Sequence, residues 1–268
     1  MEPALIILKT SNMKKTFLYT SLFALIAFSL GCDKDSGIKA TYELVPGTKA
    51  LLKVNYASAY ASNPPVQLEI NGTRMSNLIT GRTPFPGGGL NTGGSNFPDY
   101  LPVDPGSVSV SAVIPKKGTE TDSIVLFNNN VTLVAGKNYT AHVTDTAANT
   151  KVVLLEDDIS MPDTGTVRYR FVNLMPNVPA VDLYYGTTLV AANVPYLGAS
   201  NYFTMNTWGL VSQNWTIRPA GTTTGTAMAT YISASSIAPR RVFTIFAMGY
   251  KDQTSAALKP YVSFLYNR

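Results

Sequence analysis

The chain has 268 residues, 45% of them hydrophobic and only 14% charged, with one cysteine and one histidine. A single cysteine excludes an intrachain disulfide, and a single histidine with no second thiol leaves no ordinary zinc set. The formal charge of +5 becomes +3 when Lys9, Lys14, Lys15 and Glu2 are set aside with the leader, and no basic run exceeds Lys116-Lys117 or Arg240-Arg241, so a nucleic-acid partner is excluded.

The first element is a leader. Met13-Lys14-Lys15, the apolar run Phe17 to Leu30 and then Gly31-Cys32 give the basic start, apolar core and small residue before the cut of a signal peptide over residues 1–31. The run is too short to span a bilayer comfortably. Met13 opens so conventional a leader that residues 1–12 are left out of the fold. Gly31-Cys32 resembles the lipobox of bacterial lipoproteins, with Ser29 standing where that motif usually has Leu. The resemblance implies that Cys32 is acylated and anchors the protein to a membrane; the alternative is an ordinary signal peptide with an incidental thiol. Asp33-Lys34-Asp35 resembles the acidic tag that sends some Gram-negative lipoproteins to the outer face of the outer membrane. Residues 32–48 then read as a lipidated N-terminus and tether, and the expected location is the outer membrane at the cell surface.

From Ala50 the pattern is that of strands. Ala50, Leu52, Val54 and Tyr56 alternate with Lys53 and Asn55, and Val66, Leu68 and Ile70 repeat the alternation up to the tight-turn pair Asn71-Gly72. Gly81 to Pro98, GRTPFPGGGLNTGGSNFP, reads as a mobile Gly-rich loop, since neither a helix nor Gly-Lys-Ser/Thr follows to make a phosphate cradle. Short strands continue through Val108–Ile114, Ser123–Phe127, Val131–Val134, Tyr139–Val143 and Lys151–Leu155, closing a first domain over 49–158. Glu156-Asp157-Asp158 matches no calcium loop and reads as the start of a solvated linker, 159–164.

The second domain, 165–268, repeats the first. In GTVRYRFVNLMPNVPAVDLYYG, Val167, Tyr169 and Phe171 share one face and Val181, Leu183 and Tyr185 another; if these two strands pair, Asp182 meets an arginine across the sheet. Matching Val54-Asn55 to Val172-Asn173 puts an inward residue on an outward one, which calls for a bulge between the copies. Later strands fall at Tyr202–Met205, Trp215–Arg218, Met228–Ile232, Val242–Ala247 and Tyr261–Tyr266; Trp215 reads as core and Trp208, beside Gly209, as exposed. Turn signals at short intervals and the absence of a 3.6-residue stripe predict an all-β protein of antiparallel sandwiches.

VRYRFVNLMPNVPAVDLYYG, NWTIRPAGTTTG and VTLVAGKNYTAHVTDTAANTKVVLLEDD resemble the DUF4397 family of bacterial extracytoplasmic proteins, as two consecutive copies over most of the mature chain, weakening through Thr73–Asp99. The resemblance implies two tandem immunoglobulin-like sandwiches and carries over no catalytic motif.

Chemistry is sparse. His142 aligns with Phe246 of the second copy and reads as a packed or half-exposed sheet residue; no Gly-x-Ser-x-Gly elbow accompanies it. Distant carboxylate pairs remain open to a hydrolase. Asp122-Ser123-Ile124 and Asp145-Thr146-Ala147 resemble O-glycosylation acceptors of some Gram-negative envelopes. The expectation is a non-enzymatic envelope binding or scaffold module without metal or cofactor, using end loops with Phe85, Phe97 and Trp208 for an extracellular glycan or envelope protein. The alternatives are a fimbrial or adhesin-like subunit donating Tyr261–Tyr266, a glycan-binding accessory protein, and an unrecognised hydrolase.

Overall fold

The computed structural model describes residues 47–94, 97–116 and 122–268; the leader, Cys32 and the tether lie outside them. In the first half the strands are β1 (Ala50–Tyr56), β2 (Gln67–Ile70), β3 (Thr73–Arg74), β4 (Thr83–Phe85), β5 (Gly89–Leu90), β6 (Leu101–Val103), β7 (Gly106–Pro115), β8 (Asp122–Leu133), β9 (Asn138–Thr144) and β10 (Lys151–Glu156). The second half has β11 (Thr166–Asn173), β12 (Ala180–Tyr185), β13 (Thr188–Pro195), β14 (Phe203–Asn206), β15 (Trp215–Pro219), β16 (Ala229–Tyr231), β17 (Val242–Met248) and β18 (Tyr261–Tyr266).

They form all-β sandwiches. One sheet runs β10-β9-β1-β4, with β6 also on β1, and another β3-β2-β7-β8. Alternation places Leu52, Val54, Leu68, Val110, Ala141 and Val143 in one apolar core between them. The sheets β14-β11-β17-β18-β5 and β13-β12-β15-β16 enclose a second core built on Trp215. Its ring lies 4.9 Å from that of Tyr169 and 4.7 Å from that of Tyr185, and Nε1 donates to Ser236 Oγ at 2.9 Å, which satisfies the one polar atom the indole buries. Among the described residues, strand pairing is antiparallel except for β1 with β9 and β11 with β17, one parallel pair in each half.

Those parallel pairs set the true register of the repeat. Asn55 lies opposite His142 in one, and Val172 opposite Phe246 in the other. Val54 therefore corresponds to the inward Phe171, Asn55 to Val172 and Lys53 to Arg170, and no bulge separates the copies. The expected pairing of the strands around Asp182 and the arginines also fails, because β11 and β12 belong to different sheets. Asp182 is buried and accepts from the backbone N–H of Asn193 at 2.6 Å and of Gly221 at 2.8 Å, tying two turns to its own sheet.

Where the sequence reads as a mobile loop, residues 81–94 of the Gly-rich stretch carry β4 and β5. β4 pairs with β1, then β5 leaves its own half and adds to the edge of the other half's sheet, with Leu90 opposite Phe264 and Gly89 opposite Leu265. Glycine is required there by close approach: a Cβ on Gly89 would sit 2.8 Å from Phe264 O. The described residues make one compact unit. Within it a third apolar cluster, with Ala57, Val172, Leu174, Phe246 and Leu265, joins the outer faces of the two parallel-paired sheets.

Candidate ligand-binding site

Because the two halves meet through corresponding faces, contacts come in related pairs about an internal two-fold axis, the self-complementary arrangement of a symmetric dimer. Lys53 Nζ donates to Tyr266 O, and its counterpart Arg170 donates from Nη1 to Glu156 O at 2.8 Å. Thr140 Oγ1 donates to Asp157 Oδ2 at 2.5 Å, while its counterpart Thr244 accepts from Asn267 Nδ2 at 2.7 Å. Asp157 is buried, which corrects the solvated-linker reading. Its carboxylate also takes Arg170 Nη2 at 2.6 Å and Tyr100 OH at 3.0 Å. Burial pushes the Asp157 carboxyl up against the opposing pull of Arg170, and burial brings Lys53 down to about 8.

His142, fully buried on this interface, has Nδ1 3.1 Å from Asn55 Nδ2 and no partner on Nε2. Burial, then the charges of Arg170 and Lys53, lower it to about 3, so it is a neutral packing residue with no route to solvent for a transferred proton.

At the carboxyl ends of the parallel strands the axis opens into a cleft of about 350 Å³. Its walls are again counterparts: Tyr60 and Asn177 follow β1 and β11, Thr146 and Tyr250 follow β9 and β17. Tyr60 OH accepts from Ala147 N at 2.8 Å, as Asn177 Oδ1 accepts from Lys251 N at 2.9 Å. Tyr250 OH donates to Asp145 Oδ1 at 3.0 Å, so both rings are pinned by their hydroxyls to the tripeptide Asp145–Ala147. Asp145 and Ala147 both adopt positive φ, at 61° and 51°, strain that alanine has no side-chain hydrogen bond to offset.

A second concavity, about 360 Å³, surrounds Trp208 beyond β14. The indole is 74% exposed, its backbone N–H is held by Asn206 Oδ1 at 2.9 Å, and its ring lies on Gly165, where any Cβ would overlap it. Ile237, Pro239, Thr207 and Arg240 form the surround.

Of the residues the sequence singled out, Trp208 and Phe97 are exposed, Phe97 at 72%. Phe85 is half-buried, its ring packed on the first core. They are not brought together: β5 of the insertion and β14 before Trp208 form opposite edges of one sheet. Cys32 lies outside the described residues. Tyr60, Asn177, Tyr250 and Gln253 were not legible as a site; the signal that finds them is the corrected register, which aligns the loops after β1 and β11 and after β9 and β17. Thr146 stood out only as a modification acceptor. Among the described residues no three His, Cys, Asp or Glu side chains cluster as metal ligands, and no helix is long and apolar enough to cross a membrane.

The fold defines a tandem β-sandwich protein whose copies have fused through equivalent faces. The chain belongs to the family described as a domain of unknown function, DUF4397, whose model matches residues 52–184 and again 170–263. No curated protein matches it. Among solved structures it is similar to the family 26 carbohydrate-binding module CBMbc of Eubacterium rectale Amy13K, solved in complex with maltoheptaose, at 11% identity over 80% of this chain and 95% of that one, with a TM-score of 0.22. It is also similar to a leucine-rich repeat protein from Bacteroides thetaiotaomicron VPI-5482, at 13% identity over 78% of this chain and 27% of that one, with a TM-score of 0.18. Likenesses this distant carry no argument about function.

Proposed function

We propose that the protein is a non-enzymatic binding module of the cell envelope, held to the outer membrane by a lipid on Cys32 and contacting an extracellular glycan through Trp208. The observation that carries the reading is the exposed indole laid on Gly165. Leaving a tryptophan in water forgoes about 2 kcal/mol or more of burial, yet one side of this ring is held in place, so the other is a rigid, pre-oriented face. Arg240 supplies hydrogen-bond donors beside it and Thr207, whose proton goes to Gly165 O, an acceptor, the combination that suits a sugar ring stacking on its apolar face.

Trp208→Ala tests it on a glycan array run beside an envelope-protein array. The expected result is a glycan signal lost in the variant with the melting temperature unchanged. A wild-type signal confined to the protein array, or a glycan-array signal of wild-type strength in the variant, sinks the reading. The anchor is tested separately: Cys32→Ser should move the protein from the membrane to the soluble fraction.

A further inference from the structure

We infer that the cleft on the internal two-fold axis is a second, independent ligand site, and that it takes a neutral, hydroxyl-rich ligand of one or two sugar rings. The reading goes beyond the Trp208 contact and does not depend on it. The residues that carry it are Tyr60, Ala61, Thr146, Asn177, Tyr250 and Gln253.

The chemical class follows from what lines the cleft. None of the lining side chains is charged, and the carboxylate of Asp145, next to Thr146 in the chain, is engaged by Tyr250 OH and by Thr146 N at 2.8 Å. A phosphate or carboxylate ligand would enter without a cation to pair with, which an anion site requires. Tyr250 OH gives its proton to Asp145 Oδ1 and so offers ring surface, whereas Tyr60 OH accepts from Ala147 N and keeps its own proton to donate beside its ring. Thr146 supplies a hydroxyl with only a long 3.5 Å contact to Tyr250, and Gln253 supplies a neutral carboxamide, while that of Asn177 is held on both sides by the Lys251 backbone and adds wall rather than donors. Ring surface edged by uncharged hydroxyl and amide groups matches a pyranose, which has apolar C–H faces and a belt of hydroxyls. A volume of about 350 Å³ is at the small end for ligand sites, which sets the size at one or two rings.

The loop geometry points the same way. Two non-glycine departures into the left-handed region, at Asp145 and Ala147, flank the one residue, Thr146, that both the loop and the cleft share. Such strain persists where the surroundings enforce it and gathers at binding sites. Here two tyrosines from different halves enforce it, so the wall is rigid before a ligand arrives and little ordering entropy remains to be lost.

The experiment uses the whole mature protein carrying Trp208→Ala, which removes the other contact. Saturation-transfer NMR and calorimetry are run with neutral α- and β-linked di- to tetrasaccharides, with a uronic-acid disaccharide and a hexose phosphate as anionic probes. The inference predicts millimolar or tighter binding of at least one neutral saccharide and none of the anionic probes. It also predicts at least a tenfold loss on Tyr250→Ala and on Ala61→Trp. The second variant fills the cleft from an exposed alanine and breaks no internal contact, so it reports even if the tyrosine variant fails to fold. Failure of every neutral saccharide to bind, preference for an anionic probe, or wild-type affinity in Ala61→Trp overturns the site and leaves the Trp208 reading untouched. Loss of glycan-array signal through Trp208→Ala with cleft binding retained separates the two.

Discussion

Asp157 and Asn267 occupy the same place in the two copies, and in the folded chain they touch, with Asn267 Nδ2 3.2 Å from Asp157 Oδ1. Each closes the last strand of its half, and their contact lies on the axis that relates Lys53 to Arg170 and Thr140 to Thr244. The duplication has diverged there into one carboxylate and one amide, which prevents two buried carboxylates from facing one another.

Removing that carboxylate leaves Lys53 and Arg170 buried without an anion. Asp157→Ala should cost about 3–5 kcal/mol in urea unfolding, because breaking a buried pair strands its partner. Asp157→Asn, which keeps the shape but not the charge, should cost less. Equal stability of all three proteins would show that water reaches the network.

His142 makes stability pH-dependent. Its folded pKa is about 3 against an ordinary value of 6.5. The stability linked to keeping it neutral is fully present above pH 6.5 and is lost as pH falls towards 3, by up to about 5 kcal/mol. His142→Phe, which installs the residue found at the equivalent position 246, should flatten the acid limb of a stability–pH curve. Lys53 acts at the other end. With a folded pKa of about 8 against 10.5, it makes stability rise between those values, and Lys53→Met should abolish that rise.

Gly88 and Gly89 let β5 cross to the other half. Gly88 has φ of 87° and faces the Phe97 carbonyl. Gly88→Ala should therefore destabilise the whole unit by about 1–3 kcal/mol. Hydrogen exchange at Leu90 and Phe264 should accelerate together. Faster exchange at Leu90 alone would mean that the strap is dispensable to the sheet it joins.

Two tryptophans in opposite settings give an optical check. Trp208 is 74% exposed and Trp215 is fully buried, so acrylamide quenching should resolve two populations. Trp208→Phe should leave a blue-shifted emission that resists quencher. Uniform quenching in the variant would contradict the packing around Trp215.

A cut between Met161 and Thr164, which are exposed, should yield halves that stay associated on gel filtration. The strap, the apolar cluster and the Arg170–Asp157 pair all cross between them. Separation into two folded halves would show that the interface is weak.

Alternation placed most of the strands, the inward faces of β1 and β11, and Trp215 in a core, because period two is imposed by the backbone and one-sided burial writes it into composition, but it broke β8 in two at Asn128–Asn130 and passed over β13. The family likeness was legible in longer runs such as VRYRFVNLMPNVPAVDLYYG, which carry more than alternation. Register between copies was not, since a one-residue slip leaves the apolar pattern plausible until the parallel partners β9 and β17 are known. Nor could composition reveal that Lys53 and Asp157 are buried, or that a Gly-rich run spans two halves. Polar residues on a strand's second face look solvated unless another sheet covers them, and glycines that permit close approach look like glycines that permit motion. The docking of the two outer faces decided those points, and with them the cleft where Tyr60 and Tyr250 meet.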